Sequence, residues 1–177
     1  MTDRPTLRRA VAEDAEALAR LKLTCFRETF LEDFAVPYPP TDLARFEIEA
    51  YGAQAVAREL ADPTHASWVC ATPGGELVAY AHAGPSKLPH PEVSAHSGEL
   101  YQLYVRRAHQ GYGLGGALLK SALDWLAERY PGPSWLGVWS GNDRAQAVYA
   151  AAGFHKVGDY LFHVGDHRDE EYILRRD

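Results

Sequence analysis

The sequence is poor in sulfur: two cysteines, Cys25 and Cys70, in 177 residues. That count excludes a disulfide framework as the source of stability. Both stand among apolar neighbours and read as buried, reduced thiols. Long apolar runs are also missing. None approaches the roughly 20 residues that a bilayer-crossing helix needs. The opening stretch MTDRPTLRRAVAEDAE turns acidic at once and lacks the apolar core of a signal peptide. A cytoplasmic protein without a membrane partner is the expectation. Positive charge is in deficit as well, with 18 Lys and Arg against 24 Asp and Glu. No basic stripe is available for a nucleic acid, and the balance favours cationic small molecules instead. With no repeat, low-complexity tract or linker, residues 1–177 read as a single domain with a sizeable core.

What is present alternates between the two hydrophobic periods. Thr6 to Val11 reads as a strand, and Glu13 to Phe30 as an amphipathic helix broken by VPYPP (Val36 to Pro40). Thr41 to Leu60 is helical in two pieces divided at Gly52. Ser67 to Thr72 and Glu76 to Ala83 flank PGG and form a hairpin. Leu88 to His96 is irregular. Glu99 to Val105 is a strand, and Gly115 to Tyr130 a helix ended by PGP. The short apolar strand Trp135 to Trp139 suits burial on both faces. Asn142 to Ala152 is a helix, and Lys156 to Val164 and Glu170 to Arg175 are two last strands. This order gives a mixed α/β chain with seven strands in a central sheet and helices packed on it.

The stretch QGYGLGGALL (Gln110 to Leu119) can be read in two frames. Gly111, Gly113 and Gly116 spell the dinucleotide fingerprint G-x-G-x-x-G. That reading requires an acidic residue about 20 positions on, at the end of the next strand. From Pro131 to Gly141 there is neither Asp nor Glu, so a nucleotide-dependent oxidoreductase fails the context test. Gln110, Gly113 and Gly115 spell Q-x-x-G-x-G between a strand and a helix. Glycines admit a ligand close to the backbone, and successive N–H groups at a helix start attract phosphates. A second motif follows, N-x-x-A-x-x-x-Y-x-x-x-G-F from Asn142 to Phe154. Asn142 suits an N-cap, Ala145 and Tyr149 share a helix face, and Gly153 suits the residue just past the helix end.

The pair L-Y-V-x5-G-x-G-x-G (Leu103 to Gly115) and Asn142 to Phe154 resembles the GNAT superfamily of acyl-CoA-dependent N-acetyltransferases. WLGVW-x-x-N-x-R-A with the late Gly165-Asp166 is similar to the bacterial spermidine/spermine type. The resemblance implies a mixed, mostly antiparallel sheet with helices on both faces, acetyl-CoA as co-substrate, no metal, and a small-molecule amine as acceptor. A homodimer is compatible with it. It also implies that the backbone of Leu103, Tyr104 and Val105 pairs with the pantetheine arm. Gln110, Gly111, Tyr112, Gly113, Leu114, Gly115 and Gly116 would hold the pyrophosphate. Asn142, Arg144 and Ala145 would border the cofactor, and Tyr149 would be the general acid. Many members carry Arg where this chain has Gln110, which brings no charge to the pyrophosphate.

For the base the resemblance points to Glu99, with Tyr101 as competitor. Strand alternation puts Glu99, Tyr101, Leu103 and Val105 on one face. His82, His90 and His96 lack metal-ligand spacing. The acidic, aromatic segment around Glu28, Glu32, Asp33, Asp42, Glu47 and Glu49 is a source of carboxylates for a cationic acceptor. Two alternatives remain open: acetylation of a protein N-terminus or lysine, which calls for a wide cleft, and a non-catalytic acyl-CoA sensor.

Overall fold

Alternation of apolar residues along the strands, with turns at each Pro-Gly cluster, produces one seven-stranded sheet. A computed structural model describes residues 4–177. The strands are β1 (Thr6–Arg9), β2 (Ala66–Ala71), β3 (Leu77–Pro85), β4 (Gly98–Val105), β5 (Ser134–Trp139), β6 (His155–Val164) and β7 (His167–Arg176). Their order across the sheet is β1-β2-β3-β4-β5-β7-β6. Every neighbouring pair is antiparallel except β4 and β5.

That exception opens the molecule. The parallel ladder has two pairs only, Gly98 with Ser134 and Glu99 with Trp135. Beyond them the strands share no pair, so Leu100 to Val105 make no ladder bond to β5.

Helices cover both faces. On one face α4 (Leu114–Arg129) buries Leu118, Ala122 and Leu126 against Leu100, Leu136 and Leu174. On the other, α1 (Ala15–Phe26) and α3 (Ala53–Ala61) pack Leu18, Cys25 and Val56 against Val69 and Tyr80. Fully burying one such Leu is worth about 1.5–3 kcal/mol, so these two interfaces hold the sheet rigid beneath the site. α2 (Pro40–Tyr51) begins with proline at its first position, where no N–H is missed. α5 (Asp143–Ala151) is capped by Asn142, whose Oδ1 accepts the N–H of Ala145 at 3.0 Å.

The structure differs from the sequence reading in three places. The first helix does not run as α-helix to Phe30. It changes at Arg27 to π-type turns that last to Asp33. Apolar spacing marks helical segments but does not encode which carbonyl each N–H chooses. Second, β4 carries a bulge: His82 pairs with Gln102, yet the adjacent Ala83 pairs with Leu100. The extra residue reverses the alternation. Leu100, Leu103 and Val105 therefore face α4, while Tyr101 packs on His65 and His82 across the sheet. Glu99 and Tyr101 thus do not share a face with Leu103 and Val105. Third, β7 begins at His167 rather than Glu170. Its first residues are polar, Asp169 lining a cavity and Arg168 and Glu170 exposed, and polarity there imitated a loop.

Candidate active site

The turn from β4 into α4 holds two glycines in left-handed backbone, Gly111 at φ 85° and Gly113 at φ 77°. Side chains rarely adopt that conformation. At Gly116 the reason differs, since an added Cβ would meet nothing within 4 Å. The chain leaves open space there instead of packing into it. A cleft of about 530 Å³ runs along this opening, bordered by Leu103, Tyr104, Val105 and Gln110, by Gly115 and Gly116, and by Asn142, Arg144, Ala145 and Tyr149. The expected cofactor residues outside its lining are Gly111, Tyr112, Gly113 and Leu114. Tyr112 is exposed, and the side chain of Leu114, the first residue of α4, is buried in the core, so that residue has only backbone to offer. The side chains of Leu103 and Val105 pack on the core as well, which leaves their backbone for pairing. Gln110 joins the two motifs: its Nε2 donates to the Val105 carbonyl at 3.2 Å, and Arg144 Nη1 donates to its Oε1 at 2.8 Å.

A second cavity, of about 360 Å³, lies on the face opposite α4. It shares Leu103, Tyr104, Asn142, Ala145 and Tyr149 with the cleft, so Tyr149 stands where the two spaces meet. Its phenol makes no hydrogen bond to another described residue, and burial pushes its pKa up to about 12.

Glu99 borders the second cavity and is only 7% exposed. Its Oε2 accepts the N–H of Lys87 at 2.7 Å and the hydroxyl of Ser86 at 3.3 Å. Burial raises its pKa to about 7, against the opposing pull of those two donors. Tyr101 is differently placed. Its hydroxyl donates to the Pro85 carbonyl, and burial followed by the charge of Glu99 holds its pKa far above the ordinary phenol value. Of the two, only Glu99 can take up a proton near neutral pH.

The carboxylates proposed from the segment between the first two strands are spent elsewhere. Glu28 lies 3.0 Å from Arg106, Glu32 and Asp33 hold Arg107, and Glu47 pairs with Arg27 at 2.7 Å. Asp42 accepts the N–H of Asp166 at 3.2 Å, and Glu49 is exposed. None of the six lines the cavity. Its acidic wall comes instead from Asp169 and Glu171 on β7, beside Glu99, and from Glu59, which pairs with Lys22. Asp169 is 6% exposed and accepts the Tyr38 hydroxyl at 2.6 Å; Glu171 accepts that of Tyr160. Neither has a Lys or Arg partner among the described residues; His167 Nε2 lies 3.0 Å from Asp169 Oδ1. Burial raises the pKa of Glu171, and the charge of Asp169 adds to it. The signal for both was the alternation His167, Asp169, Glu171, which places three polar side chains on one strand face.

What the segment between the first two strands does supply is aromatic. Phe26, Phe30 and Phe46 roof the cavity, with Phe30 and Phe34 packed on Trp139 at ring distances of 6.2 and 4.5 Å. His82 bonds to His65 at 2.8 Å, His90 packs on Trp135, and His96 is exposed.

A sheet forced open between two parallel strands, with a glycine-turned cleft and a carboxylate-lined cavity meeting at one phenol, defines an enzyme that joins two substrates and moves a group between them. The family model described as the Acetyltransferase (GNAT) family matches residues 23–154, and the chain belongs to that family. It is thus an N-acetyltransferase with acetyl-CoA as co-substrate, and the cleft's open, side-chain-free glycine edge fits that molecule's phosphates. Among relatives, the chain is 37% identical over 120 residues to the N-alpha-acetyltransferase RimI of Mycobacterium tuberculosis, covering 68% of this chain and 71% of that one. It is 28% identical over 150 residues to an uncharacterized N-acetyltransferase of Lactobacillus delbrueckii subsp. lactis, covering 85% and 86%. The structure of the PaiA N-acetyltransferase of Thermoplasma acidophilum in complex with coenzyme A superimposes with a TM-score of 0.74, at 17% identity, over 100% of this chain and 99% of that one. The spermidine/spermine type is not singled out by these likenesses.

Proposed function

We propose that the protein acetylates the primary amine of a small cationic molecule. The observation that carries this reading is the cavity of about 360 Å³ that joins the cofactor cleft at Tyr149 and is lined by Glu99, Asp169 and Glu171, none of them ion-paired with Lys or Arg among the described residues. Buried charge without a partner is costly, and a cationic ligand supplies what is missing. Glu99 accepts a proton from the ammonium, directly or through water. The neutral nitrogen then attacks the thioester carbonyl carbon; the C–N bond forms and the C–S bond breaks. The Tyr149 O–H donates a hydrogen bond to the departing sulfur as charge develops, and the proton lost from the acylated nitrogen ends on the released thiol. Backbone groups of Leu103 and Val105 hold the pantetheine arm, and the glycine turn holds the diphosphate. Asp169 and Glu171 face the remainder of the acceptor.

The likeness to RimI favours a second reading, a protein N-terminus as acceptor. The aromatic roof weighs against it, because an extended peptide needs an open groove. Thiol release from acetyl-CoA across polyamines, amino acids, aminoglycosides and N-terminal peptides separates the two. Polyamines or other cationic amines should lead. A peptide that outruns them replaces the small-molecule reading, and the absence of turnover with any amine supports a sensor.

A further inference from the structure

The loop facing the phosphates carries no charge of its own, since residues 110–116 are Gln-Gly-Tyr-Gly-Leu-Gly-Gly. Backbone N–H groups attract an anion, yet charged donors make hydrogen bonds roughly twice as strong as neutral ones. The arginines nearest in sequence are already committed. Arg106 lies 3.0 Å from Glu28, and Arg107 lies 3.0 Å from Glu32 and 2.7 Å from Asp33.

Two other guanidiniums reach the loop from separate elements. Arg4, ahead of β1, donates through Nη2 to the Tyr112 carbonyl at 2.8 Å, across 108 positions of sequence. The same nitrogen stands 3.5 Å from where a Gly113 Cβ would be. Arg144, in the first turn of α5, donates through Nη1 to Gln110 Oε1 at 2.8 Å and borders the cofactor cleft. Both are exposed, and neither makes an ion pair among the described residues. Each guanidinium has five N–H donors, and each spends one on a neutral oxygen of the loop.

We propose that Arg4 and Arg144 form a two-sided clamp on the diphosphate of acetyl-CoA, one anchored at residue 112 and the other at residue 110. The anchoring bonds fix the position of each guanidinium while leaving its charge and remaining donors for the ligand. Gln110 then serves as a support: it aims Arg144 and brings no charge itself. This assignment is independent of which amine is acetylated.

Titration calorimetry on the whole chain tests it, with CoA, 3′-dephospho-CoA and pantetheine as probes and Arg4→Gln, Arg144→Gln and the double variant as proteins. Glutamine keeps a donor for the anchoring oxygen and removes the charge. Each single variant should raise the Kd for CoA about fivefold to tenfold at low salt, with a shallower salt dependence than the parent. The factor should be the same for 3′-dephospho-CoA, and pantetheine binding should not change. A loss that vanishes with 3′-dephospho-CoA puts the arginines on the 3′-phosphate and overturns the clamp. An equal loss for pantetheine shows a loosened loop and overturns it too. So does unchanged CoA affinity in either single variant.

Discussion

Replacing Glu99 by glutamine separates its proposed chemistry from its place in the fold. The carboxylate is 7% exposed and its pKa is raised from 4.5 to about 7. Holding it ionised therefore costs about 3 kcal/mol relative to water. That cost is what makes it useful, for a base works best with a pKa near the working pH. About half of the enzyme carries the ionised form at pH 7 and about nine-tenths at pH 8. The value of kcat/KM should rise through pH 7 in the parent protein and lose that limb in Glu99→Gln, with turnover lower by about 10²- to 10⁴-fold. Amide oxygen still accepts the Lys87 N–H, so the loop it anchors keeps its bond.

Stability should move the other way. A carboxyl whose folded pKa lies above its unfolded value binds more protons in the native state between those two values. Unfolding free energy then falls as pH rises from 4.5 to about 7, by up to about 3 kcal/mol, and stays flat beyond. The glutamine variant does not pay this penalty, so it should lose activity and gain thermal stability relative to the parent at pH 8. Steady-state rates against pH and thermal unfolding at pH 5 and 8 measure both. A variant with parental kcat/KM and an unchanged limb near pH 7 would refute Glu99 as the base. Loss of activity with equal destabilisation at both pH values would show that it only holds the 86–87 loop.

Much of this site could be read from residues whose role is local. Asn142 caps α5 because an amide oxygen there satisfies an orphan N–H. Gly153 ends that helix at φ 94°, and the glycine turn declares itself by positive φ at Gly111 and Gly113. Helices and strands followed from periodicity for the same reason, since the spacing of apolar side chains and the turn residues act within a few positions. What stayed hidden depends on distant partners. The bulge in β4 is set by its register against β3, and one unpaired residue there moves Glu99 and Tyr101 to the face opposite Leu103. The acidic residues from Glu28 to Glu47 look like a ligand site until Arg27, Arg106 and Arg107 are seen beside them. Asp169 and Glu171 belong to no motif, and their neighbours Tyr38 and Tyr160 come from 131 and 11 positions away.

Gly113→Val should weaken CoA binding severely and lower thermal stability, because a β-branched residue at φ 77° is strained by about 1–3 kcal/mol. Gly115→Val should cost less stability, an added Cβ meeting only Val105 at an ordinary 3.7 Å, yet it should still obstruct the cofactor; calorimetry showing unchanged CoA affinity in both would remove the diphosphate from this loop. Asp169→Asn should raise KM for a cationic amine with little change in kcat, and an equal effect on neutral amines would count against its proposed charge recognition. Tyr149→Phe tests the proposed acid. Burial places its phenol at about 12, whereas a thiol leaves with a pKa near 8.5, so complete proton transfer to the thiolate is uphill. The O–H must act mainly by hydrogen bonding to the sulfur as charge develops, a transition-state interaction whose loss should lower kcat about 10²-fold and leave CoA affinity unchanged. Because the ring keeps its packing on Phe154, the fold should survive. Single-turnover measurement removes the influence of product release, and parental rates there would leave Tyr149 as a residue that only packs between the two cavities.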